Sequence, residues 1–145
     1  MPSSKKTSTP NAKSKSPSEI APGVFVGGWD DAVRFEGTRF CVLDEAPEVM
    51  PPATHVPIYN EAADRADLKN LERLVAAIGT ARAKGEPVLI FCGHGVRRSP
   101  LGAAWFLHRA EGLSLDAAYE RIRAVRPQVE RAREWVGDVS DLEHA

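Results

Sequence analysis

Apolar residues gather in short runs that predict the strands of a sheet. Val24-Phe25-Val26 precedes two glycines, which favours a strand followed by a turn. Residues 40–43 form the next apolar run, and residues 55–59 are expected to be extended because Pro57 disfavours helical backbone before it. Residues 88–91 are apolar throughout, which is typical of a strand buried on both faces of a parallel sheet.

Helical periodicity separates and follows these strands. The segment from Asp67 to about Arg82 places four apolar residues on one face, Leu68, Leu71, Val75 and Ile78. Two more helices are predicted at 101–109, with Pro100 in the first turn, and after Ser114 as far as Arg126-Pro127. A last helix is expected at 129–136. This order of elements predicts an α/β domain with a mostly parallel central sheet flanked by helices.

The composition is that of one globular domain with a basic extension. The chain has 145 residues, of which 43% are hydrophobic and 27% charged, as in a single ordinary domain. Residues 1–18 hold four lysines and no acid among Ser, Thr and Pro, so they predict a disordered basic tail. The domain is expected at 19–145. The domain is mildly acidic, because the net charge of the whole chain, −1, already includes the four positive lysines of the tail. A mildly acidic domain argues against a broad nucleic-acid surface.

Nothing in the sequence predicts export, membrane insertion or a bound metal. No window is apolar for the length of a membrane span, and neither a secretory signal nor metal-ligand spacing is found. Two cysteines do not make a disulfide framework, although a bond between Cys41 and Cys92 is an alternative to free thiols. We therefore expect a cytoplasmic protein without cofactor or metal, in a reducing compartment that suits a working thiol.

The stretch from Cys92 to Ser99 carries the candidate chemistry. It is a glycine-containing loop between the buried strand at 88–91 and a predicted helix. Such a loop turns backbone N–H groups toward one point and forms an anion site. A cysteine in that positive potential favours its thiolate and becomes a nucleophile. Arg98 can grip two phosphate oxygens with its planar fork.

These residues resemble the signature of the cysteine-dependent protein tyrosine and dual-specificity phosphatases, in which Cys, five residues and Arg precede Ser or Thr. Residues 20–27 are also similar to the opening strand of dual-specificity members. The resemblance implies that Cys92 attacks phosphorus to form a cysteinyl-phosphate and that Ser99 helps the thiolate to leave. It implies a phosphorylated protein, or another phosphate-bearing substrate, as partner. The implied phosphate-binding residues are Gly93, His94, Gly95, Val96, Arg97 and Arg98.

Two positions depart from this family pattern. Phe91 stands where the family usually has a histidine that supports the loop, and Asn60 stands in the register of the aspartate that protonates the leaving group. An amide cannot donate a proton in this way. Among the acids nearby, Glu61, Asp64 and Asp67, our candidate for the general acid is Asp64.

Other functions stay open, the first of them an RNA or nucleotide 5′-triphosphatase. His94-Gly95 also resembles the loop of RNA 5′-triphosphatases in the same superfamily, which tend to do without the aspartate, and Arg97 adds charge suited to several phosphates. Nucleic acid is an expected partner only in that case. Phe91 and Asn60 also agree with a catalytically impaired phosphate-binding module. A rhodanese-type sulfurtransferase is least favoured, because the spacing from the cysteine to Arg98 fits the phosphatases.

Overall fold

The strands form a mixed sheet centred on the apolar run at 88–91. The computed structural model describes residues 17–132. Its strands are β1 (Ser18–Ala21), β2 (Val24–Gly27), β3 (Thr38–Cys41), β4 (Thr54–His55), β5 (Tyr59–Asn60), β6 (Arg65–Ala66) and β7 (Val88–Phe91). The main sheet has the order β1-β2-β7-β3-β4, and β5 pairs with β6 in a separate hairpin. Strands β2, β7, β3 and β4 are parallel while β1 is antiparallel to β2, so the predicted mostly parallel sheet is confirmed.

Helices cover both faces of this sheet. Within the described range they are α1 (Trp29–Arg34), α2 (Leu68–Ala83), α3 (Arg98–Glu111) and α4 (Leu115–Val125). Helix α3 packs between α2 and α4 and over β7, and these helices bury the main core. Helix α1 packs against β7 and β2 and covers a smaller apolar cluster on the other face. The predicted α/β class, with helices flanking the sheet, is confirmed.

Strand β7 is buried on both faces because its side chains alternate between the two cores. Ile90 and the following Cys92 belong to the main core, whereas Leu89 and Phe91 belong to the cluster under α1. All four residues of the strand are 0% exposed. Burial of each such side chain stabilises the fold by about 1.5–3 kcal/mol. The carboxyl end of β7 therefore delivers Cys92 at a fixed place in the fold.

Helix ends follow the predicted signals. Ser114 Oγ accepts a hydrogen bond from the Ala117 N–H at 3.1 Å, and Asp67 Oδ1 accepts one from the Asn70 N–H at 3.0 Å. A side-chain cap of this kind typically contributes ~1 kcal/mol. Pro100 lies in the first turn of α3, as predicted, although this helix begins earlier, at Arg98.

The structure corrects several strand and helix boundaries. The strand predicted at 40–43 lies at Thr38–Cys41, and the extended segment predicted at 55–59 is divided between β4 and β5. The six-residue helix α1 was not predicted, because one and a half turns give too few positions for a periodic signal.

The helix predicted at 129–136 is wrong over its described part. Residues 129–132 are not helical, because their backbone donors bond to other parts of the domain. The Glu130 N–H donates to the Val96 carbonyl at 2.8 Å, and the Ala132 N–H donates to Tyr119 Oη at 3.3 Å. Residues 133–136 lie outside the described residues.

The N-terminal boundary of the domain differs from the predicted one. Strand β1 begins at Ser18, the last residue of the predicted tail, and this serine is only 5% exposed. The rest of the predicted tail, up to residue 16, lies outside the described residues. Across residues 17–132 no helix is long and apolar enough to cross a membrane.

Candidate active site

The Cys92 sulfur lies at the base of the loop that joins β7 to α3. It accepts hydrogen bonds from the Gly95 N–H at 3.3 Å and the Ser99 N–H at 3.4 Å. Ser99 Oγ lies 3.3 Å from Sγ and 3.0 Å from the Gly27 carbonyl. Cys92 is 5% exposed and Ser99 is fully buried. Two amide donors therefore point at this sulfur, one from the loop and one from the first turn of α3.

Four consecutive loop carbonyls are bound from outside the loop. Because a trans peptide holds its C=O and the next N–H on opposite sides, the amides of residues 94–97 turn toward the loop interior. The Gly95 N–H, which bonds to the sulfur, has this inward direction. The loop therefore forms an amide-lined anion cradle. The pairs are Trp29 N–H to Gly93 O at 2.9 Å, Arg126 Nη2 to His94 O at 3.3 Å, Arg126 Nε to Gly95 O at 2.8 Å, and Glu130 N–H to Val96 O at 2.8 Å.

Arg126 supplies two of those four bonds from a buried position. Its side chain is 3% exposed; Nη1 lies 3.2 Å from Ser18 Oγ, and Nη2 lies 4.0 Å from Asp31 Oδ2. The same carboxylate oxygen accepts the Gly28 N–H at 2.9 Å. Burial lowers the pKa of Arg126, while the negative charges of Asp31 and Cys92 raise it. An arginine remains charged at neutral pH even so, and Arg126 therefore adds a fixed positive charge behind the loop.

Two glycines let the loop pack closely against the end of β2. Gly95 has φ +69°, and a Cβ there would lie 2.7 Å from the carbonyl carbon of Gly27. A Cβ on Gly28 would lie 2.8 Å from the Gly93 carbonyl oxygen. Real side chains do not tolerate such distances, so both positions require glycine for the loop to keep this path.

Arg98, the arginine that closes the loop, is paired with a carboxylate. Its Nε donates to Asp44 Oδ1 at 3.0 Å and its Nη2 donates to Asp44 Oδ2 at 3.1 Å. The guanidinium also lies over the ring of Tyr59, with Cζ 5.1 Å from the ring centroid. The two side chains of the ion pair are 31% and 29% exposed. Arg98 therefore lies at the rim of the loop, in contact with both Asp44 and Tyr59.

The hairpin of β5 and β6 brings Asp64 toward this rim. Asp64 Oδ1 accepts a short hydrogen bond from the Tyr59 hydroxyl, and that bond is the main cause of a raised pKa for Tyr59. Asp64 has φ +51°, a left-handed conformation that aspartate tolerates better than most residues. Asn60 Oδ1 instead accepts the Ala63 N–H at 3.1 Å. Asp67 caps α2, as described above.

Three more of the residues predicted to bind phosphate, His94, Val96 and Arg97, lie in the same loop. His94 is exposed, whereas Val96 and Arg97 are half-buried. Arg97 is also the N-cap residue of α3. The amides of all three belong to the inward-facing set.

Phe91 faces away from the sulfur. Its ring packs edge-on against Trp29, with centroids 6.3 Å apart, in the small cluster under α1. Trp29 also donates its backbone N–H to the loop. In this chain the loop is therefore supported by α1 and Arg126, without a histidine before the cysteine.

The two cysteines belong to different faces of the sheet. Cys41 lies in register with Phe91 across β3 and β7 and packs in the same cluster, whereas Cys92 packs in the main core. Both are free thiols, so the alternative of a disulfide between them is not what the structure shows. Burial raises the pKa of Cys41, which makes it an unreactive thiol at neutral pH.

Sequence reasoning does not find four residues that support the loop and its arginine: Asp31, Asp44, Tyr59 and Arg126. A signal exists for Asp44, since it follows the strand next to β7 and so lies at the carboxyl edge where Cys92 emerges. Another exists for Arg126, because an arginine that ends a helix before a proline interrupts an apolar pattern. Asp31 and Tyr59 give no sequence signal that we can identify.

The fold and the site together define a cysteine-dependent phosphatase domain. A family model described as dual specificity phosphatase, catalytic domain, matches residues 46–145, and the chain belongs to this family. Rat dual specificity protein phosphatase 12 is 28% identical over 134 residues, which are 84% of this chain and 40% of the relative. Human dual specificity phosphatase 28 is 29% identical over 121 residues, 77% of this chain and 68% of the relative.

Solved structures agree with this assignment. A mouse putative dual specificity phosphatase complexed with zinc tungstate has a TM-score of 0.75 and 26% identity, covering 96% of this chain and 93% of that one. Human DUSP28 has a TM-score of 0.71 and 25% identity, covering 88% of this chain and 95% of that one. The chain spans about two fifths of the length of its phosphatase 12 relatives.

Proposed function

We propose that this protein is a cysteine-based phosphatase that hydrolyses phosphate monoesters of phosphorylated proteins through a cysteinyl-phosphate intermediate. The observation that carries the proposal is the position of the Cys92 sulfur, hydrogen-bonded to two amides at the base of a loop with inward-facing N–H groups. A phosphoryl dianion bound above this sulfur would meet amide donors on its equatorial oxygens.

In the first step the Cys92 thiolate attacks phosphorus. The S–P bond forms as the bond from phosphorus to the leaving oxygen breaks, and that oxygen takes a proton from the Asp64 carboxylic acid. The loop amides and Arg98 stabilise the charge on the transferring group. Splitting the transfer into two steps is covalent catalysis.

In the second step water attacks phosphorus and the S–P bond breaks. The proton of the water passes to the Asp64 carboxylate, and inorganic phosphate is released. Ser99 Oγ, 3.3 Å from the sulfur, can donate its single proton either to the Gly27 carbonyl or to the departing thiolate. Donation to the sulfur stabilises the leaving group and completes the cycle.

Substrate class is tested by a panel of three ligands. We expect phosphotyrosine and phosphothreonine peptides to be hydrolysed at least roughly tenfold faster, in kcat/KM, than the γ-phosphate of triphosphate-ended RNA. The measurement is phosphate release at equal concentrations. A faster reaction with triphosphate-ended RNA would assign the site to a triphosphatase instead.

A second candidate function is favoured by Asn60. It occupies the register of the family's proton donor, and its side-chain oxygen is engaged by the Ala63 N–H. A phosphate-binding module without turnover would bind the peptides of the same panel and release no phosphate from them, even from an activated ester such as para-nitrophenyl phosphate.

The role of Asp64 as general acid predicts a dependence on the leaving group. Asp64→Asn should lower kcat for phenyl phosphate about a hundredfold, because the phenolate must leave unprotonated, and lower it far less for para-nitrophenyl phosphate. Glu61→Gln is the matched control, since it removes a carboxylate from the same turn and should leave both rates near wild type. A similar loss for both substrates in Asp64→Asn, or a larger effect of Glu61→Gln, would contradict the assignment.

A further inference from the structure

The pairing of Arg98 with Asp44 uses two donors that a phosphate could otherwise bind. Nε and Nη2 form one of the two edges of a guanidinium that can hold two oxygens at once, and both bond to the same carboxylate, at 3.0 and 3.1 Å. A carboxylate and a phosphate present the same pair of oxygens to such an edge. While Asp44 holds this edge, an incoming oxyanion cannot.

Topology brings Asp44 to this position. Strand β3 is the parallel neighbour of β7, and the Val42 N–H still bonds to the Phe91 carbonyl at 3.0 Å. Asp44 follows two residues later, at the same carboxyl edge of the sheet from which Cys92 emerges. The pair thus joins positions 54 residues apart, and the β3–β4 loop is tied to the rim of the anion cradle.

The orientation of Arg98 does not depend on Asp44 alone. The Arg98 guanidinium lies over the Tyr59 ring, with Cζ 5.1 Å from the ring centroid, and this contact holds the guanidinium in place without using an N–H donor. Asp44, in contrast, uses two donors and neutralises the charge.

The geometry points to Asp44 as an internal competitor that occupies Arg98 and lowers the affinity of the loop for oxyanions. This inference rests on the proposed function, because it concerns the same phosphate-binding loop. Binding of a phosphate at the edge formed by Nε and Nη2 requires Arg98 to exchange Asp44 for the ligand, so the ligand and the Asp44 contact oppose each other. Since such coupling is reciprocal, a bound phosphate releases the β3–β4 loop from Arg98.

The test is the dissociation constant for inorganic phosphate, measured by calorimetry on the full chain. Inorganic phosphate is chosen because it binds without turnover. Asp44→Asn should bind phosphate roughly three- to fivefold more tightly, as expected for loss of a bidentate pair that is one-third exposed. Glu45→Gln is the matched control. It removes an adjacent, exposed carboxylate and should change the constant less than twofold, through general electrostatics only.

The outcomes separate the two proposals. Weaker binding in Asp44→Asn, or a gain no larger than that of Glu45→Gln, overturns the competitor role while leaving the phosphatase proposal intact. Failure of both wild type and Asp44→Asn to bind phosphate overturns the phosphatase proposal as well. Asp44→Ser should bind phosphate as tightly as Asp44→Asn, and the folding of both variants is checked by thermal unfolding. Loss of cooperative unfolding in both variants would make Asp44 a structural residue and overturn the inference.

Discussion

Replacing Cys92 with serine is expected to abolish hydrolysis of para-nitrophenyl phosphate, with a loss of at least ~10⁴-fold in kcat. A serine hydroxyl is a far weaker nucleophile than a thiolate, and no other thiol lies in the loop. The substitution is nearly isosteric, and the two amide donors to the sulfur, Gly95 N–H and Ser99 N–H, can bond to an oxygen instead. We therefore expect the variant to remain folded and to bind inorganic phosphate.

Cys41→Ser is the matched control for this experiment. Cys41 is also a buried thiol, but it packs in the cluster under α1, on the face of the sheet away from Cys92. Burying a hydroxyl there should cost on the order of 1–3 kcal/mol of stability and leave kcat close to wild type. Turnover that survives in Cys92→Ser would remove Cys92 as the nucleophile. Loss of turnover in a folded Cys41→Ser would show that the loss in Cys92→Ser is not specific to the loop.

Arg126→Met is expected to reduce kcat/KM about a hundredfold and the free energy of unfolding by about 2–4 kcal/mol. The methionine preserves much of the volume, but it leaves the His94 and Gly95 carbonyls without the Arg126 donors and removes the positive charge of Arg126 from beside the buried Asp31. The loop amides would then lose their fixed inward direction. Arg126 acts through the loop backbone, so it is a positioning residue.

The measurements are steady-state kinetics and chemical denaturation on the same preparations. Arg126→Lys keeps the charge but cannot donate to both loop carbonyls at once, so its kcat/KM should lie between those of wild type and Arg126→Met. If Arg126 had only a structural role, the activity of each variant would instead follow its folded fraction. Arg123→Met removes an exposed arginine from the preceding turn of α4 and should change neither quantity appreciably. A folded Arg126→Met with wild-type kcat/KM would show that the loop keeps its shape without this residue.

Local patterns explain which predictions from sequence were confirmed. Strand β7 was found because four consecutive apolar residues are typical of a strand that contributes side chains to two cores, and α2 was found because its apolar spacing persists over about three turns. Ser114 was identified as a cap because the signal lies next to the helix it caps. Each of these inferences depended on residues within one element.

The errors arose where backbone or side-chain groups bond to distant partners. The helix expected at 129–136 has an adequate apolar pattern, but the Glu130 N–H bonds to the Val96 carbonyl rather than within a helical turn. Ser18 was assigned to the tail because its neighbours are polar, yet it is buried against Arg126. In both cases a tertiary contact outweighed the local preference.

The sequence by itself determined that a cysteine follows a buried strand, that a glycine loop leads from it into a helix, and that an arginine and a serine close that loop. These are features of adjacent residues, and their spacing alone restricts the backbone. Only the tertiary structure decided what holds the loop open and what holds its arginine: Arg126 reaches the loop carbonyls from 31 residues away, and Asp44 reaches Arg98 from 54 residues away. Contacts between side chains and groups far away in the sequence follow no periodicity along the chain. They can therefore be identified only once the order of the strands in the sheet is known.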